Sequence, residues 1–250
     1  MSIKTLITAD DFGFTANINR AIREAYKKSR ITELSVMVDS YGTDEAVKYI
    51  RENNVQNVGL HFSLLRVSKG IKILRNKDYD EILENRTKDQ LTKAFDEEVK
   101  IFEQKVGFKP KHIIGHKQIA LHPKLVEYIG NYCVKNNCYA RSNVAHKTLQ
   151  TAVIPKGFNI GRTADEKFTF RYGTPEEMYH QYKKDILGAK QKHGFKSAEF
   201  IFHPGYAGKF EKGLTSFIQE RIDDINFLLS DYFLRLIKEE NFQLVSSSEI

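Results

Sequence analysis

The chain has 250 residues, with 39 Lys+Arg against 32 Asp+Glu for a formal net charge of +7, and 41% hydrophobic residues including 17 Phe but no Trp. That composition excludes a disordered chain, a collagen-like chain and a disulfide-stapled mini-protein, and the length suits one large domain or two small ones. No run approaches the roughly 18–20 apolar residues of a membrane span, and Asp10 and Asp11 interrupt the first apolar run before a secretory core is complete; a soluble, cytoplasmic protein is expected.

Apolar β-rich runs alternate with segments of helical period. Ile3 to Thr8 reads as a buried strand, and Asn17 to Lys28 as a helix with Ile18, Ile22 and Ala25 on one face. A strand over Leu34 to Val38, a helix over Thr43 to Arg51 and a strand over Val58 to Leu64 follow. The polar stretch 66–86 has turn chemistry and no clean period. Thr87 to Val106 reads as an amphipathic helix on Leu91, Phe95, Val99 and Phe102. Then come a short strand over His112 to Gly115, a helix from Pro123 to Asn136 opened by its proline, and a brief strand over Tyr139 to Ser142. Residues 143–172 read as irregular. A helix over Pro175 to His193, a strand over Ala198 to His203, one or two helices over Leu214 to Glu240 and a last strand over Phe242 to Val245 complete the chain.

This β-then-α order implies a mostly parallel sheet, open or closed into a barrel. No linker or composition break divides the chain and no repeat has a fixed period, so one α/β domain over 1–250 is expected. The stretches 66–86 and 143–172 exceed ordinary connections, which marks them as the expected substrate rim. The densest lysine clusters (Lys27-Lys28, Lys183-Lys184, Lys190 to Lys196) lie in helix-like stretches beside acids or Gln. With no nucleic-acid module or zinc-finger spacing, no nucleic-acid partner is expected. Cys133 and Cys138 form neither a CxxC pair nor half a zinc site, and read as buried free thiols.

There is no GxGxxG after the first strand, no P-loop, no HExxH and no GxSxG. What stands out instead is Asp10-Asp11-Phe12-Gly13 directly after a buried strand, His61 in Gly59-Leu-His-Phe62, His116 at the end of Ile113-Ile-Gly-His, and His203 where Pro204 and Gly205 stop a strand. Each has a plain alternative: an Asp at a βα junction caps helices, and a His in an apolar strand is often a core residue. Together they fall at or near the carboxyl ends of different strands, which parallel strands bring to one face. One Asp with two His suits a catalytic divalent metal, and the remaining Asp and His suit a base and an acid. His112, His122, His146, His180 and His193 lack this placement.

The same residues carry a family resemblance. The chain resembles the YdjC-like carbohydrate deacetylases, related to the chitooligosaccharide deacetylases. The matching segments are Ile7-Thr-Ala-Asp-Asp-Phe-Gly-Phe14 with Asn19, Gly59-Leu-His-Phe62, Lys109-Pro-Lys-His-Ile-Ile-Gly-His116, Ala140-Arg141, Phe202-His-Pro-Gly-Tyr206 and Arg221 to Leu228. The resemblance implies a distorted TIM-like (β/α) barrel with one divalent metal, Mg²⁺ or Zn²⁺ with Mn²⁺ and Co²⁺ as alternatives. It places Asp11, His61 and His116 at the metal ligands, Asp10 at the base, His203 near the leaving amine, and Arg141 where it would orient Asp10 or bind substrate. The third motif departs from the family's usual acid and three histidines: Ile114 stands at the acid, and Gln118 and Ala120 at two of the histidines. A divergent substrate, a weaker metal site and a lost activity all stay open on that account.

The function expected is hydrolysis of the acetyl amide of an N-acetylated sugar or oligosaccharide, with metal-activated water, Asp10 as base and His203 as acid. Phe12, Phe62 and Tyr206 are the candidates for stacking on a sugar, with Phe14, Phe168, Phe170 and Tyr172 behind them; most of these are expected to be core. The rival readings are a metal-dependent phosphoesterase, and a barrel that has become a sugar-binding or regulatory protein. A small carbohydrate is the expected partner, and homodimerisation is left open.

Overall fold

A computed structural model of the chain describes residues 2–64, 76–141, 161–169 and 171–250, the side chains of 76 and 77 excepted. Its elements, in order, are β1 (Ile3–Phe12), α1 (Ala16–Lys27), β2 (Glu33–Val36), α2 (Thr43–Glu52), β3 (Val58–Phe62), α3 (Asn76–Asn85), α4 (Lys88–Val106) and β4 (His112–Gly115). After these come α5 (Val126–Asn136), β5 (Tyr139–Ala140), β6 (Glu166–Thr169), α6 (Pro175–Lys192), β7 (Ser197–Phe202), α7 (Gln219–Leu229), α8 (Asp231–Glu239) and β8 (Phe242–Leu244). They form two compact units, and β1 and β2 contribute residues to both.

The first unit holds residues up to Asp10, Ala16–Leu34 and Ala164–Ile250. Here β1 is paired in parallel with β7, Lys4 opposite Ser197 through Ala9 opposite Phe202, and with β8 at Ile3 opposite Phe242. β6 runs parallel to β7 on its far side. From Thr5 onward β1 is buried at every residue, as a strand covered on both faces must be. Phe200 and Phe202, two apart and so on one face of β7, stack with centroids 6.5 Å apart and pack against Tyr182, which in turn meets Phe227. These rings supply the bulk that a chain without Trp draws from Phe and Tyr. A reciprocal cap between Thr174 and Glu177, with Pro175 next, starts α6.

The second unit holds Asp11–Thr15 and Ser35–Thr163. β3, β4 and β5 lie side by side in parallel, His61 opposite Ile114 and His112 opposite Tyr139. Phe62 meets Phe95 of α4 edge-on at 5.3 Å. A Cβ on Gly59 would lie 2.2 Å from Cδ2 of His112, so this glycine is what lets the fully buried His112 pack as a core residue. α4 begins at a capping box between Thr87 and Gln90 and ends at a left-handed Gly107.

The α/β class and the parallel strands are those expected, and every described register is parallel. Three local readings are corrected. In 66–86, residues 66–75 lie outside the described residues, but Asn76–Asn85 is a helix, because its short apolar set is masked by mixed charge. Within 143–172, residues 143–160 and 170 lie outside them, while Glu166–Thr169 forms β6. Pro123 does not open α5; the helix starts at Val126, after a 3-10 segment over His116–Leu121. Among the described residues no helix is long and apolar enough to cross a membrane.

Candidate metal centre

Asp11, the penultimate residue of β1, breaks the regular strand conformation. In a regular strand consecutive side chains point to opposite faces. Asp11 takes a left-handed backbone, φ 64°, and Gly13 follows at φ 95°. Aspartate tolerates that region better than most residues, and Gly13 is needed because a Cβ there would sit 2.8 Å from the Met37 carbonyl oxygen. The turn is closed by the Phe14 N–H on the Asp11 carbonyl at 3.0 Å and the Met37 N–H on the Phe12 carbonyl at 2.8 Å.

His61 lies one residue before the end of β3, and His116 directly follows β4. After His116 the chain doubles back through two consecutive left-handed residues, Lys117 and Gln118. The close return requires Gly115, where a Cβ would come within 2.3 Å of the Ala120 nitrogen. Strained residues of this kind persist where the surrounding fold over-determines them. Here they fix the direction in which His116 leaves its strand.

The three side chains meet. Asp11 Oδ1 lies 3.0 Å from His61 Nε2 and 3.1 Å from His116 Nδ1, and the two nitrogens are 3.1 Å apart. Asp11 and His61 are almost wholly buried, and the His116 side chain is 21% exposed. Protons alone do not satisfy such a triangle. If both imidazoles donate to Asp11, two N–H groups face each other across the third edge. A divalent cation accepts lone pairs from all three atoms, and one carboxylate with two imidazoles is a donor set for a borderline or hard metal. Among the described residues this is the group of His, Cys, Asp or Glu side chains placed to hold a metal.

The imidazole states agree with that use. Ser35 Oγ lies 3.3 Å from His61 Nδ1. As acceptor it holds the proton on Nδ1 and leaves the Nε2 lone pair turned to Asp11 and His116. Burial pushes His116 below its ordinary pKa against the pull of Asp11, which keeps its ring neutral.

In the first unit, Asp10 and His203 form a pair of their own, His203 Nε2 lying 3.7 Å from Asp10 Oδ2. α7 holds the His203 backbone. Asp224 Oδ2 accepts its N–H at 2.7 Å, and the Arg221 guanidinium donates to its carbonyl at 3.4 Å. Gly205 N–H donates to the Arg221 carbonyl at 3.0 Å, so the His-Pro-Gly turn is tied to the helix at both ends. Burial raises the Asp224 carboxyl well above the usual range.

Arg141 is buried directly after β5. Phe12 and Phe62 are fully buried, against Tyr49 and Phe95, and present no face to a sugar. Tyr206 is half-buried, its ring covered on one side by the Arg20 guanidinium at 4.7 Å and its hydroxyl donated to Glu24. Sequence reasoning missed Ser35, Asp224 and the part Arg221 plays in holding His203. A lone serine inside an apolar strand and an Arg/Asp pair three apart on a helix were the available signals.

A family model described as YdjC-like protein matches residues 4–239 of the chain. A carbohydrate deacetylase of Clostridium beijerinckii is 22% identical over 263 aligned positions, which cover 99% of this chain and 100% of that protein. A chitooligosaccharide deacetylase of Salmonella typhimurium is 22% identical, with 95% of each chain covered. A solved structure from Enterococcus faecalis, named provisionally for cellobiose-phosphate cleavage, matches with a TM-score of 0.80 at 19% identity over 100% of this chain and 99% of that one. At that identity the likeness is one of fold.

Proposed function

The chain belongs to the YdjC-like protein family, and from that premise we propose that it is a metal-dependent hydrolase that removes the acetyl group from an N-acetylated sugar or oligosaccharide. The Asp11–His61–His116 triangle is the observation that carries this reading. Relatives named as carbohydrate and chitooligosaccharide deacetylases over nearly the whole chain support the substrate class. Asp11, His61 and His116 would hold one divalent ion, Zn²⁺, Mg²⁺, Mn²⁺ or Co²⁺. When bound, such an ion supplies Lewis-acid chemistry, polarising an acyl oxygen and making water more acidic.

The rest falls to the chain's own side chains. Asp10, a nearly buried carboxylate, takes the proton of the attacking water as the new bond to the acyl carbon forms. His203 in its protonated form gives a proton to the sugar nitrogen as the carbon–nitrogen bond breaks. The products are acetate and a free amino sugar. His203 Nε2 lies 3.7 Å from Asp10 Oδ2, so the two side chains proposed as acid and base face one another. Asp224 and Arg221 hold the backbone that aims His203. Arg141 would orient Asp10 or bind substrate, and residues 66–86 and 143–172 would form the substrate rim.

The test is acetate release from N-acetylglucosamine oligomers with each metal supplied in turn. Acetate formed in equal amount with free amine supports the hydrolase. Binding of the sugar without acetate under any metal, unchanged in Asp10→Asn, belongs instead to a sugar-binding protein.

A further inference from the structure

Glu98 sits on the apolar stripe of α4, among Leu91, Phe95 and Phe102, and is wholly buried. Desolvating a carboxyl there costs several kcal/mol unless it is well bonded. Its Oε2 accepts the Ser63 backbone N–H at 3.0 Å and lies 3.4 Å from the Ser63 hydroxyl. The Leu64 backbone N–H also bonds to it. The other oxygen, Oε1, is buried with no hydrogen-bond partner. The chain so gripped begins two residues beyond His61, and Leu64 in it is a buried leucine with a left-handed backbone, φ 56°. A branched apolar side chain does not adopt that conformation unaided.

The same segment is held from its other side. The Ser63 carbonyl accepts the Tyr79 hydroxyl at 3.0 Å. The Tyr79 ring, itself buried, stands with its centroid 5.8 Å from that of His116. The Lys117 ammonium, one residue past His116, lies 5.0 Å over its centre. Tyr79 therefore touches the residues that follow both histidines.

We propose that Glu98 and Tyr79 are positioning residues of the metal centre, a clamp that sets where the His61 imidazole stands relative to that of His116. The inference rests on the metal reading of Asp11, His61 and His116. Neither residue reaches the reacting atoms. Glu98 acts through the Ser63–Leu64 backbone and Tyr79 through Ser63 and its tilted contact with the His116 ring. Burial pushes Glu98 up to about 8, so at neutral pH it is an uncharged acid and glutamine is its close mimic.

The experiment is calorimetric titration of the full chain with Zn²⁺ and with Mn²⁺, for wild type and for Glu98→Ala, Glu98→Gln and Tyr79→Phe, beside the melting temperature of each metal-free protein. The clamp predicts that Glu98→Ala and Tyr79→Phe bind each metal about 10–100-fold more weakly, as loss of a group that orients a ligand does. Glu98→Gln, which keeps the acceptor, stays within about threefold on the same scale. A purely structural role would lower melting temperature and leave metal affinity alone, and wild-type affinity in folded Tyr79→Phe overturns the clamp. If Glu98→Ala fails to fold, Tyr79→Phe decides, since it removes one oxygen. A wild-type chain that binds neither ion overturns the metal reading itself, and the clamp with it.

Discussion

Ser35 Oγ stands 3.3 Å from Nδ1 of His61, on the side of the ring away from Asp11 and His116. Ile114, registered opposite His61 between β3 and β4, is buried and carries no side-chain acceptor. The Ser35 hydroxyl is placed to orient the His61 ring. Ser35→Ala is expected to weaken Zn²⁺ binding about 10-fold or more, with little change in melting temperature. Titration calorimetry and a thermal scan on one preparation check both halves.

Asp11→Asn separates the backbone role of Asp11 from its charge. Asparagine accepts the left-handed conformation at φ 64° as readily as aspartate does. The variant should fold with a melting temperature close to wild type and bind divalent metal at least 100-fold more weakly, since it loses the carboxylate of the donor set. Asp11→Ala, which disfavours that backbone, should lose stability as well, by about 1 kcal/mol or more. Chemical denaturation of the two metal-free variants distinguishes them.

The Asp10–His203 pair is expected to serve the reaction without holding the ion. Asp10→Asn and His203→Gln should each lower kcat for acetate release by about 10²–10⁴-fold, with metal affinity within a few-fold of wild type. Asp224→Asn, which still offers an oxygen to the His203 N–H, should cost much less. Steady-state kinetics beside metal titration measure this.

Glu98 makes stability depend on pH in a defined direction. Burial, helped by the charge of Asp39, holds its carboxyl at about 8, against the pull of the Ser63 and Leu64 N–H groups. In the unfolded chain it titrates near 4.3. Between those values the folded chain keeps a proton that the unfolded chain has released. Its contribution is therefore whole below the lower value, falls by about 1.4 kcal/mol per pH unit, and is gone once pH has passed through about 8. Wild type should lose stability relative to Glu98→Gln across that window and run parallel to it above. Parallel curves throughout would show that Glu98 titrates normally.

Much of the metal-ligand group, and of the separate Asp10–His203 pair, is legible because strand ends are. Asp10, Asp11, His61, His116 and His203 each fall at the edge of an apolar run in the sequence, and each lies within two residues of the carboxyl end of its strand. The sequence pattern ends β1 at Thr8, because two adjacent acids look like a break; the strand absorbs both and bends at Asp11. The residues that support each group are harder to find. Ser35 is one small polar group in a run of Leu and Val. Asp224 and Arg221 sit in a helix whose buried face includes them. Glu98 did leave a trace. It falls at helical spacing from Leu91, Phe95 and Phe102, so a charge inside that stripe was the sign of a buried, bonded carboxyl.

The decisive readout is acetate released from an N-acetylglucosamine oligomer by the metal-stripped protein as divalent metal is added back in steps. No acetate is expected without metal, and the rate should climb until one ion is bound per chain and then level, with no rise in Asp11→Asn. Acetate release that chelation does not alter, or that saturates only at two ions per chain, would contradict a single metal held by Asp11, His61 and His116.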